Sequence, residues 1–103
     1  IITVHELAHI GDFRSDMRMS DGMMAAIGNS ANCIYMLCRD FKTNSKPIGP
    51  LRDYASSSPR EDFAVSVSQW FYSGAYNQPA DALTVDRRSY LDAFAYQPRT
   101  GPR

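Results

Sequence analysis

Only two histidines occur in the 103 residues, and they stand four apart with a glutamate between them, as His5-Glu6-Leu7-Ala8-His9. Four residues make about one helical turn, so on a helix both imidazoles leave the same side and can share one ion. The pair works only if the segment around it is helical, which constrains the local fold more tightly than any other feature. The chain also has nine aspartates but only two glutamates, Glu6 and Glu61. The longer carboxylate is confined to the histidine pair and to one distant position that opens a second apolar-periodic segment.

At 100° per residue, Val4, Leu7 and Ala8 form an apolar stripe opposite the histidines, within a helix expected from Ile1 to Gly11. One face is free for a metal while the other packs, and Gly11 is the expected stop. Two imidazoles and a remote carboxylate leave the fourth position of a tetrahedral zinc ion to water, the layout of a catalytic site. Glu6, beside the pair without joining it, is placed to take a proton from that water, which then attacks a metal-polarised carbonyl. By average composition, H-E-x-x-H arises by chance about a few times in a thousand chains of this length. The competing reading is a solvated helix end with two ordinary histidines, and no other histidine is scattered along the chain to favour it.

The third ligand has several contenders. Glu61 lies in the first turn of the helix with the clearest start: Ser58 is the expected N-cap and Pro59 the first helical residue. It points away from the apolar face of Phe63, Val67 and Trp70 and is open to a metal. The same position makes it a capping-box partner for Ser58, and one side chain does not readily serve both ends. Asp12, three residues after His9, is an alternative ligand or a hydrogen-bond partner for an imidazole, and Asp16 is another alternative. The spacing departs from H-E-x-x-H-x-x-G-x-x-[HD], because Asp12 stands at the glycine and Ser15 at the last ligand.

Further along, Phe13 to Met19 is expected as a loop. A second helix is expected from Ser20-Asp21 to about Phe41, with a kink at Gly28-Asn29-Ser30. Cys33 and Cys38 then fall on different helix faces and are expected as two small buried residues. Residues 42–57 are expected as loop, and the third helix as ending near Gly74. A fourth helix is expected over Val85 to Tyr96, with Thr84 as cap and Asp86 near its positive end. Trp70, Phe71, Leu91 and Phe94 should pack behind the metal helix on Val4 and Leu7. Residues 1–97 form one helical metal-binding part and 98–103 a tail.

Lys plus Arg balances Asp plus Glu at eleven each. A net charge of zero offers no footprint for nucleic acid or an anionic membrane, and no apolar run is long enough to cross a bilayer. Nine arginines against two lysines, with abundant Ser and Asp, favour a secreted protein.

The stretch Tyr54-Ala55-Ser56-Ser57-Ser58-Pro59-Arg60-Glu61-Asp62-Phe63-Ala64 resembles the second motif of the anthrax lethal factor and Pro-Pro endopeptidase group of zinc peptidases. In that group a tyrosine precedes the metal-binding glutamate by seven residues, as Tyr54 precedes Glu61, and His5, Glu6 and His9 match the first motif. The resemblance runs from about Val4 to Phe71, with specific identity in the two short motifs. It implies that His5, His9 and Glu61 bind zinc, that Glu6 is the general base, and that the Tyr54 phenol donates to the tetrahedral oxyanion. Apart from the resemblance, Tyr54 is one of six tyrosines and sits beside a loop. Two departures stand out. Ala8 replaces a frequent glycine, and Val65 replaces a frequent acid one turn after Glu61, leaving Asp12 to support a histidine.

The fold implied is mostly α: the C-terminal helical part of a zincin-like (α+β) metallopeptidase domain. A zincin places a twisted sheet and a helix ahead of its metal helix, so the motif at His5 implies a portion of a larger domain. The expected activity is that of a zinc endopeptidase acting on a protein or peptide, with the N-terminal part of its own domain as partner. The alternative is a non-catalytic helical interaction module, or a degenerate peptidase with a structural zinc.

Overall fold

The computed structural model describes residues 3–47, 52–72 and 83–96, with side chains as far as 93. The fold is mostly α with one small sheet. Its elements are α1 (Val4–Arg14), α2 (Arg18–Ala26), β1 (Ser30–Ile34), β2 (Leu37–Lys42), α3 (Arg52–Ala55), α4 (Pro59–Phe71) and α5 (Val85–Tyr96). α4 is the hub, touching α1, α2, α3 and α5. Ala8, Met23, Ile27, Phe63, Ala64, Leu83 and Leu91 form the core, with Met19, Val67, Trp70 and Tyr90 at its margin. Among the described residues, no helix is long and apolar enough to cross a membrane.

α1 starts from a capping box. The Thr3 hydroxyl accepts the Glu6 N–H at 3.1 Å, and the Glu6 carboxylate accepts the Thr3 N–H at 3.2 Å. Thr-x-x-Glu is the motif for this reciprocal cap, and it was present in the sequence. Gly11 does not end the helix. It faces the side chain of Met19, and the helix runs on to Arg14 until Asp16 and Met17 enter the left-handed region at φ 57° and 66°. The expected loop from Phe13 to Met19 therefore shrinks to a three-residue turn. α2 begins at Arg18 and not at Ser20-Asp21. Its N-cap position holds Met17, which has no capping side chain, and Asp12 supplies one from α1 by accepting the Ser20 N–H at 2.9 Å.

The largest correction concerns residues 27–42. The long second helix stops at Ala26, and Gly28 takes a left-handed turn at φ 79°. The Asn29 side-chain oxygen then accepts the N–H groups of Asn44 and Ser45, at 2.8 and 2.9 Å, and pins both ends of an antiparallel hairpin. Cys33 and Cys38 are directly opposed in its register and form a half-buried disulfide, and are not the two small buried residues of a helix that were expected. The register shifts once, where Asp40, at φ 58°, and Phe41 face Ala31 as a bulge. Ile34 and Leu37 pair across a two-residue turn, Tyr35-Met36, in which Tyr35 is left-handed at φ 54°. A bulky residue held there costs on the order of 1–3 kcal/mol, which its surroundings must offset.

The helix expected after Ser58 is present, with Ser58 as N-cap, Pro59 at the first position and the Ser58 hydroxyl accepting the Arg60 N–H at 3.1 Å. It ends at Phe71, and Gly74 lies outside the described residues. α3 is a short helical turn inside the stretch expected as loop. α5 spans the residues expected. Its first helical bond runs from the Arg88 N–H to the Thr84 carbonyl, but the Thr84 hydroxyl donates to Asp86, whose carboxylate accepts the Arg87 N–H.

The expected packing behind α1 is incomplete. Ala8 is buried, but Leu7 is 53% exposed and Phe71 63% exposed. Val4, Leu7, Met19, Val67, Trp70 and Leu91 line an open apolar groove of about 380 Å³. The Phe94 side chain and the 98–103 tail lie outside the described residues.

Candidate metal centre

α1 and α4 pack against each other so that the first turns of both meet. His5 and His9, one turn apart on α1, face the start of α4. Nε2 of His5 lies 3.1 Å from Glu61 Oε1, and Nε2 of His9 lies 2.9 Å from the same oxygen. Potential ligand atoms of the three residues all fall within 4.8 Å of one another. Their side chains are 26%, 24% and 22% exposed, half-sheltered yet reachable from solvent.

Glu61 faced two alternatives on sequence, and its geometry separates them. Its oxygen sits between the imidazoles, while Ser58 serves the helix start through its own hydroxyl; among the described residues no reciprocal Glu61–Ser58 cap is present. Burial pushes the Glu61 carboxyl up in pKa, but hydrogen bonds with His9, His5 and Tyr54, together with the charge of His9, bring it below the usual carboxylate value. The group is therefore held as an anion, the form that ligates.

Tyr54, in α3, closes one end of the cluster. Its ring centroid is 6.0 Å from that of His5, and its phenol interacts with the Glu61 carboxylate. The negative charge of Glu61 and that interaction raise the phenol's pKa, keeping it protonated. The side chain is 50% exposed, which leaves it access to a bound molecule.

The other expected residues are engaged elsewhere. Glu6 is exposed, and its carboxylate accepts both the N–H and the hydroxyl of Thr3 at 3.2 Å. Asp12 is buried, with one oxygen on the Ser20 N–H and the other without a hydrogen-bond partner among the described residues, and it stands outside the His5–His9–Glu61 cluster. Asp16 is exposed, in the turn after α1.

Arg60 was missed on sequence. It is only 2% exposed, and its guanidinium donates to the Tyr35 carbonyl twice, at 2.8 and 2.6 Å, and to Ser20 and Asp21. Arg87 was missed as well. It is fully buried and forks onto Asp62 at 3.1 and 2.7 Å. Nothing local signals a buried arginine, since the carboxylate and carbonyl that hold Arg87 and Arg60 most firmly, Asp62 and the Tyr35 carbonyl, each lie 25 residues away.

Two imidazole nitrogens and one carboxylate oxygen are a donor set that suits zinc, and three protein ligands leave room for one more. No protein family, curated protein or solved structure matches this chain.

Proposed function

We propose that the chain carries the metal-binding helical part of a zincin-like peptidase, a zinc-dependent hydrolase of peptide bonds. One observation carries the reading: Glu61 Oε1 lies within 3.1 Å of both imidazole Nε2 atoms, across more than fifty residues of chain. His5, His9 and Glu61 would hold the ion. Zinc bound there supplies Lewis acidity, which polarises a carbonyl and makes water acidic enough to lose a proton near neutral pH. Glu6, the residue after His5, takes that proton as general base. To do so it leaves Thr3, giving up a helix cap worth about 1 kcal/mol. Tyr54, kept neutral beside Glu61, donates its phenol proton as a hydrogen bond to the developing oxyanion.

The substrate is a protein or peptide, and the disulfide fits an oxidising compartment, so we place the protein outside the cell. A second reading is favoured by the engagement of Glu6 with Thr3: a non-catalytic interaction module in which the ion only stiffens the α1–α4 contact.

Metal analysis and a peptide-cleavage assay on the purified chain separate the two. The peptidase binds one zinc per chain and cleaves. Glu6→Gln keeps the zinc and abolishes cleavage, while His9→Ala and Glu61→Ala lose both. A wild-type chain that is fully zinc-loaded yet cleaves no peptide, both alone and joined to the N-terminal part of its domain, supports the module. Full occupancy after Glu61→Ala overturns the ligand assignment.

A further inference from the structure

The hairpin tip is an apolar surface that the fold goes out of its way to present. Ile34, Tyr35, Met36 and Leu37 are consecutive, apolar and 77%, 60%, 47% and 79% exposed. A turn that short ordinarily uses Gly or Asn at its left-handed position, and here the position holds a tyrosine. The conformation is clamped from both sides. The Cys33–Cys38 disulfide closes the ladder just behind the turn, and buried Arg60 grips the Tyr35 carbonyl with two hydrogen bonds. Strained residues held in place by their surroundings cluster at active sites and ligand clamps.

The location of that aromatic follows from α1. His5, His9 and Phe13 are spaced four residues apart, so Phe13 continues the metal-facing side by one more turn. Phe13 is 60% exposed, and its ring centroid lies 6.4 Å from that of Tyr35, within the range of paired aromatic rings. One turn of helix puts Phe13 about 6 Å along the axis from His9. Tyr54 stands at the His5 end of the cluster and the Phe13–Tyr35 pair at the His9 end. Arg60, which holds Tyr35, is the residue before Glu61, so one helical step ties the ring pair and the histidines to the same rigid element.

Resting on the peptidase reading, we infer that the Phe13–Tyr35 pair is a specificity subsite, taking a bulky apolar side chain about two residues from the scissile bond. An extended peptide advances about 3.3 Å per residue, so two residues span the one turn of α1 from His9 to Phe13. A polar or very small side chain at that position leaves both rings facing water and gains nothing from them.

The test reads binding, and so does not depend on turnover. Fluorescein-labelled alanine hexapeptides, each with Leu, Phe, Ser or Gly stepped through the sequence, are titrated by anisotropy into the zinc-loaded full chain carrying Glu6→Gln. Leu and Phe peptides should bind about tenfold more tightly than their Gly counterparts at one position. Adding Phe13→Ser or Tyr35→Gly should erase that difference while zinc content stays at the level of the Glu6→Gln parent. Tyr35→Gly also relaxes the left-handed turn, so a folding defect cannot imitate the result. An apolar preference that survives both substitutions, or no preference at any position, overturns the inference. Peptide selection by a wild-type chain that never cleaves, alone or joined to the N-terminal part of its domain, removes the peptidase reading and leaves the ring pair as a peptide-binding subsite. Cleavage without apolar selection removes the subsite alone.

Discussion

Glu61 and Asp62 are neighbouring carboxylates in the first turn of α4, and they are put to opposite uses. Asp62 is 3% exposed and closed on every side: Arg87 forks onto both oxygens, and the Ser66 hydroxyl donates to one of them at 3.1 Å. Glu61 is 22% exposed, and its partners are imidazoles that can be neutral. The first arrangement is a permanent charge pair sealed in the interior. The second is an anion between two imidazole nitrogens, reachable by an ion from solvent. Arg60, one step earlier, goes a third way, to the hairpin tip. Consecutive helical residues point 100° apart, so three adjacent side chains reach β1–β2, α1 and α5 from one turn.

The strongest way to break the comparison is to remove the sealed member. Asp62→Ala leaves the Arg87 guanidinium buried without its counter-charge, and unfolding in urea should show a loss of about 3–5 kcal/mol. A loss below about 1 kcal/mol would mean that the Arg87 bonds to Ser45, at 2.8 and 2.9 Å, suffice without the carboxylate. Next comes the open member. Glu61→Ala in the metal-free protein should change stability by about 1 kcal/mol or less, because its partners are part-exposed. With zinc at a hundred times its Kd, the wild type should gain about 2.7 kcal/mol and the variant nothing. Equal zinc-induced shifts in Tm for the two proteins would sink the distinction.

The smallest effect concerns Asp86, which shares the Ser45 hydroxyl with Arg87 at the edge of the sealed network. Burial pushes its carboxyl up, but hydrogen bonds from Thr84, Ser45 and the Arg87 N–H, with the Arg87 charge, bring it below the usual 3.8. Because the folded value is the lower one, its stabilisation is complete above the unfolded pKa and is lost as pH falls through the folded value. Asp86→Asn should therefore flatten the fall of Tm with pH below about 4 and leave neutral pH little changed. An unaltered acid limb would show that the carboxylate gains nothing from its hydrogen bonds on folding.

Much of the helical frame was legible, and for local reasons. Ser58-Pro59 starts α4 because a hydroxyl cap and a pre-set φ act within one turn, and α5 follows from its own periodicity. The hairpin was not legible. Met23, Ile27 and Ile34 recur at spacings that a helix would also produce, while the turn at Tyr35-Met36 has neither the Gly nor the Asn that marks such turns. Once that turn is known, a cysteine separation of five becomes the spacing of two directly opposed residues. Gly11 misled in the other direction, since a glycine stops a helix only where the chain needs a left-handed residue, and here Asp16 and Met17 fill that role.

The candidate site divides the same way. Sequence alone decides that His5 and His9 share a side, because the i, i+4 relation is a property of the helix itself. It also decides that a glutamate sits in the first turn of a well-capped helix. Whether that glutamate turns to its own Ser58 or to histidines more than fifty residues away depends on how α1 docks on α4. That docking is set by the burial of Ala8, Phe63 and Ala64 in a shared core, an interaction of surfaces that no local pattern encodes.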